Sequence, residues 1–280
     1  MQLFVNQLTN VDFSYLDAAR GLVGETWLAS AVLDGALDQQ GMVCDFGIVK
    51  KTLRNWLDDE VDHRLLVPTD STFLQLEEQG DRIKLTWQSE QGAIHMSAPR
   101  EAVALVEAET ITAASVAEWC RQQLKPFFPV NVDQLTLSFE PEIIPSAFYH
   151  YSHGLKKHAG NCQRIAHGHR SRLHIWLDDQ PAPDQEQRWA NRWADIYIGS
   201  QEDLISETDT DMQFAYQSAQ GQFSLNVPKS TCYMIDTDST VEWIAEHIAS
   251  ELAQEYPNQQ IRVQAFEGIN KGAFAMRHPD

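Results

Sequence analysis

Between Ser152 and His169 the chain reads SHGLKKHAGNCQRIAHGH. Three imidazoles suited to ligating a metal, His153, His167 and His169, surround a single thiol, Cys162. His167-Gly-His169 has the two-residue period of a β-strand, so both rings can leave one face, and His153 can approach from a neighbouring strand. Three neutral imidazoles make a tetrahedral zinc site with one open position, the arrangement of a catalytic rather than a structural zinc. The competing reading is a surface run of histidines, or histidines satisfied in a core. An H-x-H pair, an upstream His and a lone Cys seldom coincide by accident.

The same segment is basic. From His153 to Leu173 there is no Asp or Glu, yet Lys156, Lys157, Arg164, Arg170 and Arg172 are present. A local positive field beside a metal site favours an anionic substrate, phosphates being the usual case. The alternative is a solvated basic loop that offsets acidic neighbours. The chain as a whole carries a net charge of −19. That balance argues against nucleic acid as a partner, which needs a basic footprint, and against an anionic membrane surface. No apolar run reaches the roughly 18 residues of a membrane span. The first residues, MQLFVNQLTNVDFSYLD, lack a basic n-region and an apolar h-region, so no signal peptide is expected. Cys44, Cys120, Cys162 and Cys232 are widely spaced without a CxxC pair, which suits free thiols in a cytoplasmic protein.

The elements that must position these residues come twice. WQSEQGAIHMSAP at 87–99 and YQSAQGQFSLNVP at 216–228 share Gln-Ser-x-Gln-Gly and the closing proline. Thr112–Trp119 lines up with Thr240–His247, and LTLSFE ending at Glu140 lines up with IRVQAFE ending at Glu267. A repeat this long means two copies of one unit, divided near Pro145–Ala147 into 1–146 and 147–280. In the first copy, strands are expected at Asp12–Tyr15, Thr26–Leu33, within Phe73–Ser97 and at Leu135–Phe139. Phe46, Val49, Leu53, Trp56 and Leu57 form the apolar stripe of a helix over Phe46–Asp59, and Thr112 caps a second over Ala113–Leu124. The second copy follows with strands at Leu173–Leu177, Ile196–Ile198, Phe214–Leu225, Ile261–Phe266 and Gly272–Met276, and a helix over Thr240–Leu252. Two strands, helical material, then two strands is an α+β arrangement with helices on one side of an antiparallel sheet. Ala147–Tyr151 reads as a strand serving both copies.

On FYHYSHGLKKHAGNCQRIAHGHRSRL, GMVCDFGIVKKTLRNWLDDEVDHRLL and the late glutamates of LTLSFEPE and VQAFEGINKGAFA, the chain resembles the 6-pyruvoyltetrahydropterin synthase and 6-carboxytetrahydropterin synthase family. The resemblance implies tandem T-fold units of ββααββ type, with active sites between neighbouring units. The copies have diverged in complementary ways. Arg20 and Val23-Gly24-Glu25 stand in the first copy where His153 and His167-Gly168-His169 stand in the second. The Asp62-His63 pair has no counterpart in the second, whose helical region shrinks to roughly Ser200–Met212. A composite site follows, in which the second unit supplies the metal ligands and thiol and the first supplies Asp62 and His63. Otherwise the first copy is a structural relic, with Asp62-His63 simply ending a helix.

The resemblance further implies 7,8-dihydroneopterin triphosphate as substrate and zinc as cofactor. Its chemistry is proton removal beside two side-chain hydroxyls and elimination of triphosphate. Cys162 is then the base, Asp62 orients His63, and His63 relays protons. Glu267 anchors the pterin, Thr240 and Glu242 are further pterin contacts, and Glu140 is the first copy's counterpart of Glu267. Four residues separate Cys162 from His167, intermediate between the spacings expected of 6-carboxy and animal-type 6-pyruvoyl enzymes. The expectation is a zinc-dependent lyase, with 6-carboxytetrahydropterin for queuosine biosynthesis as the favoured product. The alternatives are a non-catalytic pterin- or purine-binding protein with a regulatory or assembly role, and a zinc hydrolase of GTP-like substrates. Open sheet edges in such units predict a homo-oligomer.

Overall fold

The computed structural model describes residues 1–128 and 130–279. The first half runs β1 (Gln2–Asp17), β2 (Gly21–Gly35), α1 (Phe46–Glu60), β3 (Leu65–Pro68), β4 (Leu74–Gln79), β5 (Arg82–Ser89), β6 (Gly92–Pro99), β7 (Val103–Val106), α2 (Ala113–Leu124) and β8 (Val132–Pro141). The second half runs β9 (Phe148–His153), β10 (His167–Leu177), β11 (Gln180–Pro181), α3 (Pro183–Arg192), β12 (Ile196–Ser200), β13 (Leu204–Glu207), β14 (Asp211–Ser218), β15 (Gly221–Pro228), β16 (Cys232–Ile235), α4 (Val241–Glu255), β17 (Ile261–Phe266) and β18 (Gly272–Arg277). The architecture is α+β.

Among the described residues the strands form three sheets. One has the order β7-β3-β1-β2-β8 and belongs to the first half. A second, β16-β12-β9-β10-β17-β18 with β11 beside β10, repeats that order in the second half and adds a strand at its end. The third, β13-β14-β15-β6-β5-β4, is built by both halves, joined where Ser224–Asn226 pairs with His95–Ser97.

Each helix-bearing sheet has its own core. Asp45 caps α1 by accepting from the Gly47 and Ile48 N–H groups, and Val49, Leu53 and Leu57 recur at the helical period to bury one stripe. They join Val116, Trp119 and Leu124 of α2 over Phe13, Trp27 and Phe139 of the first sheet. Ile244, Ile248 and Leu252 of α4 and Trp189 of α3 cover Tyr149, Tyr151, Leu173 and Ile175 of the second. A third core, containing Leu16, Leu65, Trp87, Tyr197, Phe214 and Leu225, lies between the shared sheet and the other two.

The two helix-bearing sheets meet without intervening helices. Ser14 Oγ and Ser152 Oγ are 2.7 Å apart. A Cβ on Gly24 would lie 1.9 Å from the Tyr151 carbonyl oxygen, and one on Gly168 would lie 2.7 Å from Gly24 Cα. The glycine inside His-Gly-His is thus a contact between the halves.

Several expectations need correction. The counterpart of α1 in the second half is α3, not a segment at Ser200–Met212, which carries β13 and the start of β14. Its sequence, PDQEQRWANR, places Glu186 with Trp189 and Ala190 in the interior, so no apolar stripe announces it. Among the described residues no strand is shared between the units: β8 lies at the edge of the first sheet, while β9 lies inside the second. Ser14 pairs with Gly24 and Tyr15 with Val23, just as Ser152 pairs with Gly168 and His153 with His167. The first-half residue equivalent to His153 is therefore Tyr15, not Arg20.

Candidate metal centre and acid–base cluster

His153 and His167 are direct cross-strand partners on β9 and β10, and His169 lies one pleat further along. Their rings therefore rise from one face. All three are fully buried, and one ring nitrogen of each falls within 4.8 Å of the others. Two of the Nδ1 atoms are hydrogen-bonded. His153 Nδ1 lies 2.9 Å from the Ser239 carbonyl oxygen and 3.0 Å from its hydroxyl, and His167 Nδ1 lies 2.9 Å from the Arg164 carbonyl oxygen. His169 Nδ1 faces Asp12 Oδ1 at 3.3 Å.

The three Nε2 atoms are buried without a hydrogen-bond partner, as is His169 Nδ1, which lies within ion-pair distance of Asp12 but outside hydrogen-bond geometry. Orphaned buried nitrogens are costly unless something ligates them. Burial and the neighbouring imidazoles push His153 and His167 well below the ordinary histidine pKa, so both are neutral, as metal ligands must be. This donor set fits a metal ion.

Cys162 sits in the loop between β9 and β10, in a short 3-10 turn at Asn161–Gln163. The shared sheet holds this loop. Tyr216 donates its hydroxyl to the Gln163 carbonyl at 2.8 Å, and the Gln220 N–H donates to Gln163 Oε1 at 2.8 Å. The Leu155 N–H donates to the Cys162 carbonyl at 2.9 Å.

Asp62 and His63 follow α1 in the turn into β3. His63 adopts φ 55, a left-handed conformation unusual for a side-chain-bearing residue, and its N–H donates to the Asp12 carbonyl at 2.6 Å. Its Nδ1 is hydrogen-bonded to Asp62 Oδ2. The His63 ring centroid is 5.0 Å from that of His167, and His63, Cys162 and His167 present ligand atoms within 4.8 Å of one another. Burial alone would lower the His63 pKa, but hydrogen bonds and charge from Asp62 and Cys162 outweigh it and hold the group at about 10. The chain thus brings a dyad from one half against the thiol and imidazole trio of the other.

Glu267, at the end of β17, places Oε1 3.8 Å from His169 Nε2. Thr240 is the N-cap of α4, next to the Ser239 that holds His153. Glu242 is exposed on the first turn of α4. Glu140 is exposed and pairs with Leu28 on β2. Because Ala29 pairs with Phe139 as Leu173 pairs with Ala265, the strand register matches Glu140 to Phe266 rather than to Glu267.

The basic segment is only in part a free positive field. Lys156 pairs with Asp203 at 2.6 Å and Glu202 at 3.0 Å, and Lys157 pairs with Glu202 at 2.7 Å and Asp238 at 3.2 Å. Arg172 pairs with Glu142. Acidic residues distant in sequence thus pair with three of the five basic side chains, whereas Arg164 and Arg170 form no ion pair among the described residues.

Sequence reasoning missed Asp12. Its one visible signal was an acid set among alternating apolar residues in VDFSY. The sequence leaves open whether the first copy keeps a pocket of its own, and the repeat symmetry creates one. There Tyr15, Val23 and Glu25 stand for the imidazole trio, His150 stands for Asp12, and Asp195 stands for His63 with the same φ of 55. Arg20 occupies this pocket, donating from Nε to Asp195 Oδ2 at 2.8 Å and from Nη1 to the Tyr15 hydroxyl at 2.9 Å.

Fold and site together define an α+β protein with a candidate metal centre between two related halves. The chain belongs to the 6-pyruvoyl tetrahydropterin synthase family, whose sequence profile matches it twice, over residues 14–144 and 142–277. A provisionally named 6-carboxy-5,6,7,8-tetrahydropterin synthase from Pyrococcus horikoshii is 24% identical over 125 residues, 45% of this chain and 71% of that protein. Structures of 6-pyruvoyl tetrahydropterin synthases from Plasmodium vivax and Plasmodium falciparum align at 21% and 17% identity, each with a TM-score of 0.39, over 51% of this chain and 98% of theirs.

Proposed function

We propose that the chain is a zinc-dependent lyase that converts 7,8-dihydroneopterin triphosphate to a 6-substituted tetrahydropterin, with 6-carboxytetrahydropterin for queuosine biosynthesis as the favoured product. The observation that carries the reading is the meeting of the Asp62–His63 dyad with Cys162 and the imidazole trio inside one chain. The name borne by the Pyrococcus relative favours the 6-carboxy product. In this reading each half is a T-fold unit, 1–146 and 147–280. The first has lost its own metal site and lends the dyad.

His153, His167 and His169 would hold zinc through Nε2. When bound, the ion supplies Lewis acidity that polarises the substrate's side-chain hydroxyls and makes the adjacent C–H acidic. The protein's groups do the rest. Cys162 removes the carbon-bound proton. His63, kept protonated by Asp62, sits within reach of that sulfur to pass a proton on. Glu267 accepts the pterin's 2-amino and ring N–H groups, a two-bond contact that fixes ring orientation. Thr240 and Glu242 are assigned as flanking pterin contacts. The ends of the helix-bearing sheets, at β8 and β18, are open, and Phe274 and Met276 on β18 are exposed. Both features support assembly into a homo-oligomer.

The test is to incubate zinc-loaded protein with dihydroneopterin triphosphate and identify the products by mass spectrometry, comparing wild type with Cys162→Ala and His63→Ala. Turnover by wild type and its loss in both variants are expected. An inert wild type would reject the lyase reading.

A further inference from the structure

We infer that Asp12, carried by the N-terminal unit, is a positioning residue for the metal ligand His169. This rests on the reading that the imidazole trio holds a metal. Two of the three imidazoles take their Nδ1 partner from the second half, at the Ser239 and Arg164 carbonyls. The third does not. His169 Nδ1 makes no hydrogen bond of its own; the group it faces is the carboxylate of Asp12, on β1 of the other half, at an ion-pair distance of 3.3 Å.

Asp12 is 1% exposed, and a buried carboxylate persists only where partners compensate it. Thr26 donates its hydroxyl to Oδ1 at 2.6 Å, while Lys271 at 3.1 Å and Asn10 at 3.3 Å donate to Oδ2. These contacts aim the carboxylate. A partner on Nδ1 fixes the proton there and leaves the Nε2 lone pair for the ion, and a charged partner also makes the ring a stronger donor.

The same residue sets the dyad through its main chain. The Asp12 N–H donates to Asp62 Oδ1 at 2.7 Å, and its carbonyl accepts from the His63 N–H. One residue of β1 therefore ties the metal ligand to the acid–base pair, its side chain serving the first and its backbone the second. A side-chain substitution removes only the first.

The experiment is a chelator competition for zinc, with the visible spectrum of the cobalt-substituted protein as a second readout. It uses the full chain as wild type, Asp12→Asn, Asp12→Ala, His167→Ala, His169→Gln and the double variant Asp12→Asn/His169→Gln. His167→Ala tests the metal reading itself. Asp12→Asn keeps the side-chain volume and is the variant that decides if Asp12→Ala does not fold. Loss of a partner of this kind typically weakens metal binding by about 10- to 100-fold. That loss is expected in Asp12→Asn, with an altered cobalt band and no further loss when His169 is already gone. Unchanged affinity in Asp12→Asn, or fully additive losses in the double variant, would overturn the inference while leaving the metal site standing. Wild type indifferent to His167→Ala would remove the metal reading and the inference with it.

Discussion

Ser14 and Ser152 hydrogen-bond to each other across the junction of the two halves, their hydroxyl oxygens 2.7 Å apart. They occupy equivalent positions in the repeat, each paired with the glycine of its own unit, Gly24 and Gly168. A contact between equivalent residues marks a local two-fold relation. Two pockets flank it: one holds the imidazole trio and Cys162, the other Arg20.

The junction is intolerant of bulk. Gly168→Ala is expected to destabilise the protein by about 3 kcal/mol or more, because the new methyl meets the Tyr151 carbonyl and the Gly24 backbone rather than a flexible side chain. Urea unfolding measures this. A change under about 1 kcal/mol would show that the sheets can part at little cost.

Substitution of the dyad should affect rate far more than fold. His63→Ala and Asp62→Asn are expected to lower kcat by roughly 10²- to 10⁴-fold, the range of general acid–base catalysis. Zinc content should remain at the wild-type level, since neither residue belongs to the trio. Steady-state kinetics together with metal analysis checks both halves of the statement.

In the relic pocket, Arg20→Ala removes a bidentate ion pair between the units. Arg20 and Asp195 are 36% and 25% exposed, so solvent screening limits the loss to about 1 kcal/mol. A double-mutant cycle with Asp195→Ala isolates it. A coupling near zero would mean that the pair does not help hold the halves together.

Glu25 should make stability depend on pH. It faces His150, Arg20 and Arg170, and burial raises its carboxyl from 4.5 to about 7. Between those values the unfolded chain has already lost the proton that the folded chain keeps. The contribution of Glu25 therefore falls as pH rises through that window and levels off above it, while His150 beside it, held down to about 4 by burial, contributes in the opposite sense. The full effect is about 3 kcal/mol. Glu25→Gln should match wild type near the lower limit and exceed it at about pH 8. Urea midpoints at both pH values test this, and an equal difference at both would refute it.

Zinc should stabilise the chain by mass action, by about 3–4 kcal/mol at 100 to 1,000 times its dissociation constant. Thermal melts with and without a chelator should separate for wild type and coincide for His153→Ala.

The candidate site was legible in sequence to the extent that it is local. His-Gly-His on a strand, an upstream His, a lone Cys and an Asp-His pair all lie within short segments whose period sets the direction of their side chains. Helices α1, α2 and α4 were visible because their apolar stripes and caps lie in consecutive turns. Helix α3 was not, because a buried Glu186 accepting the Ile175 N–H replaces part of the stripe. The basic segment is less free than its sequence suggests, because the partners of Lys156 and Lys157, namely Glu202, Asp203 and Asp238, lie far along the chain and come beside them only on folding.

Residue type and periodicity alone determined which groups could bind a metal, that the chain is a duplicated α+β unit, and which copy kept the imidazoles and which the acid–imidazole pair. Only the tertiary structure decided that these sets meet in one chain, that Asp12 faces His169 from the opposite half, and that Arg20 fills the matching pocket. Strand and helix periods follow from bonds along the backbone and can be read one segment at a time. The approach of two sheets follows from where small residues let their backbones come close, and that contact spans more than a hundred residues of chain, between Ser14 and Ser152.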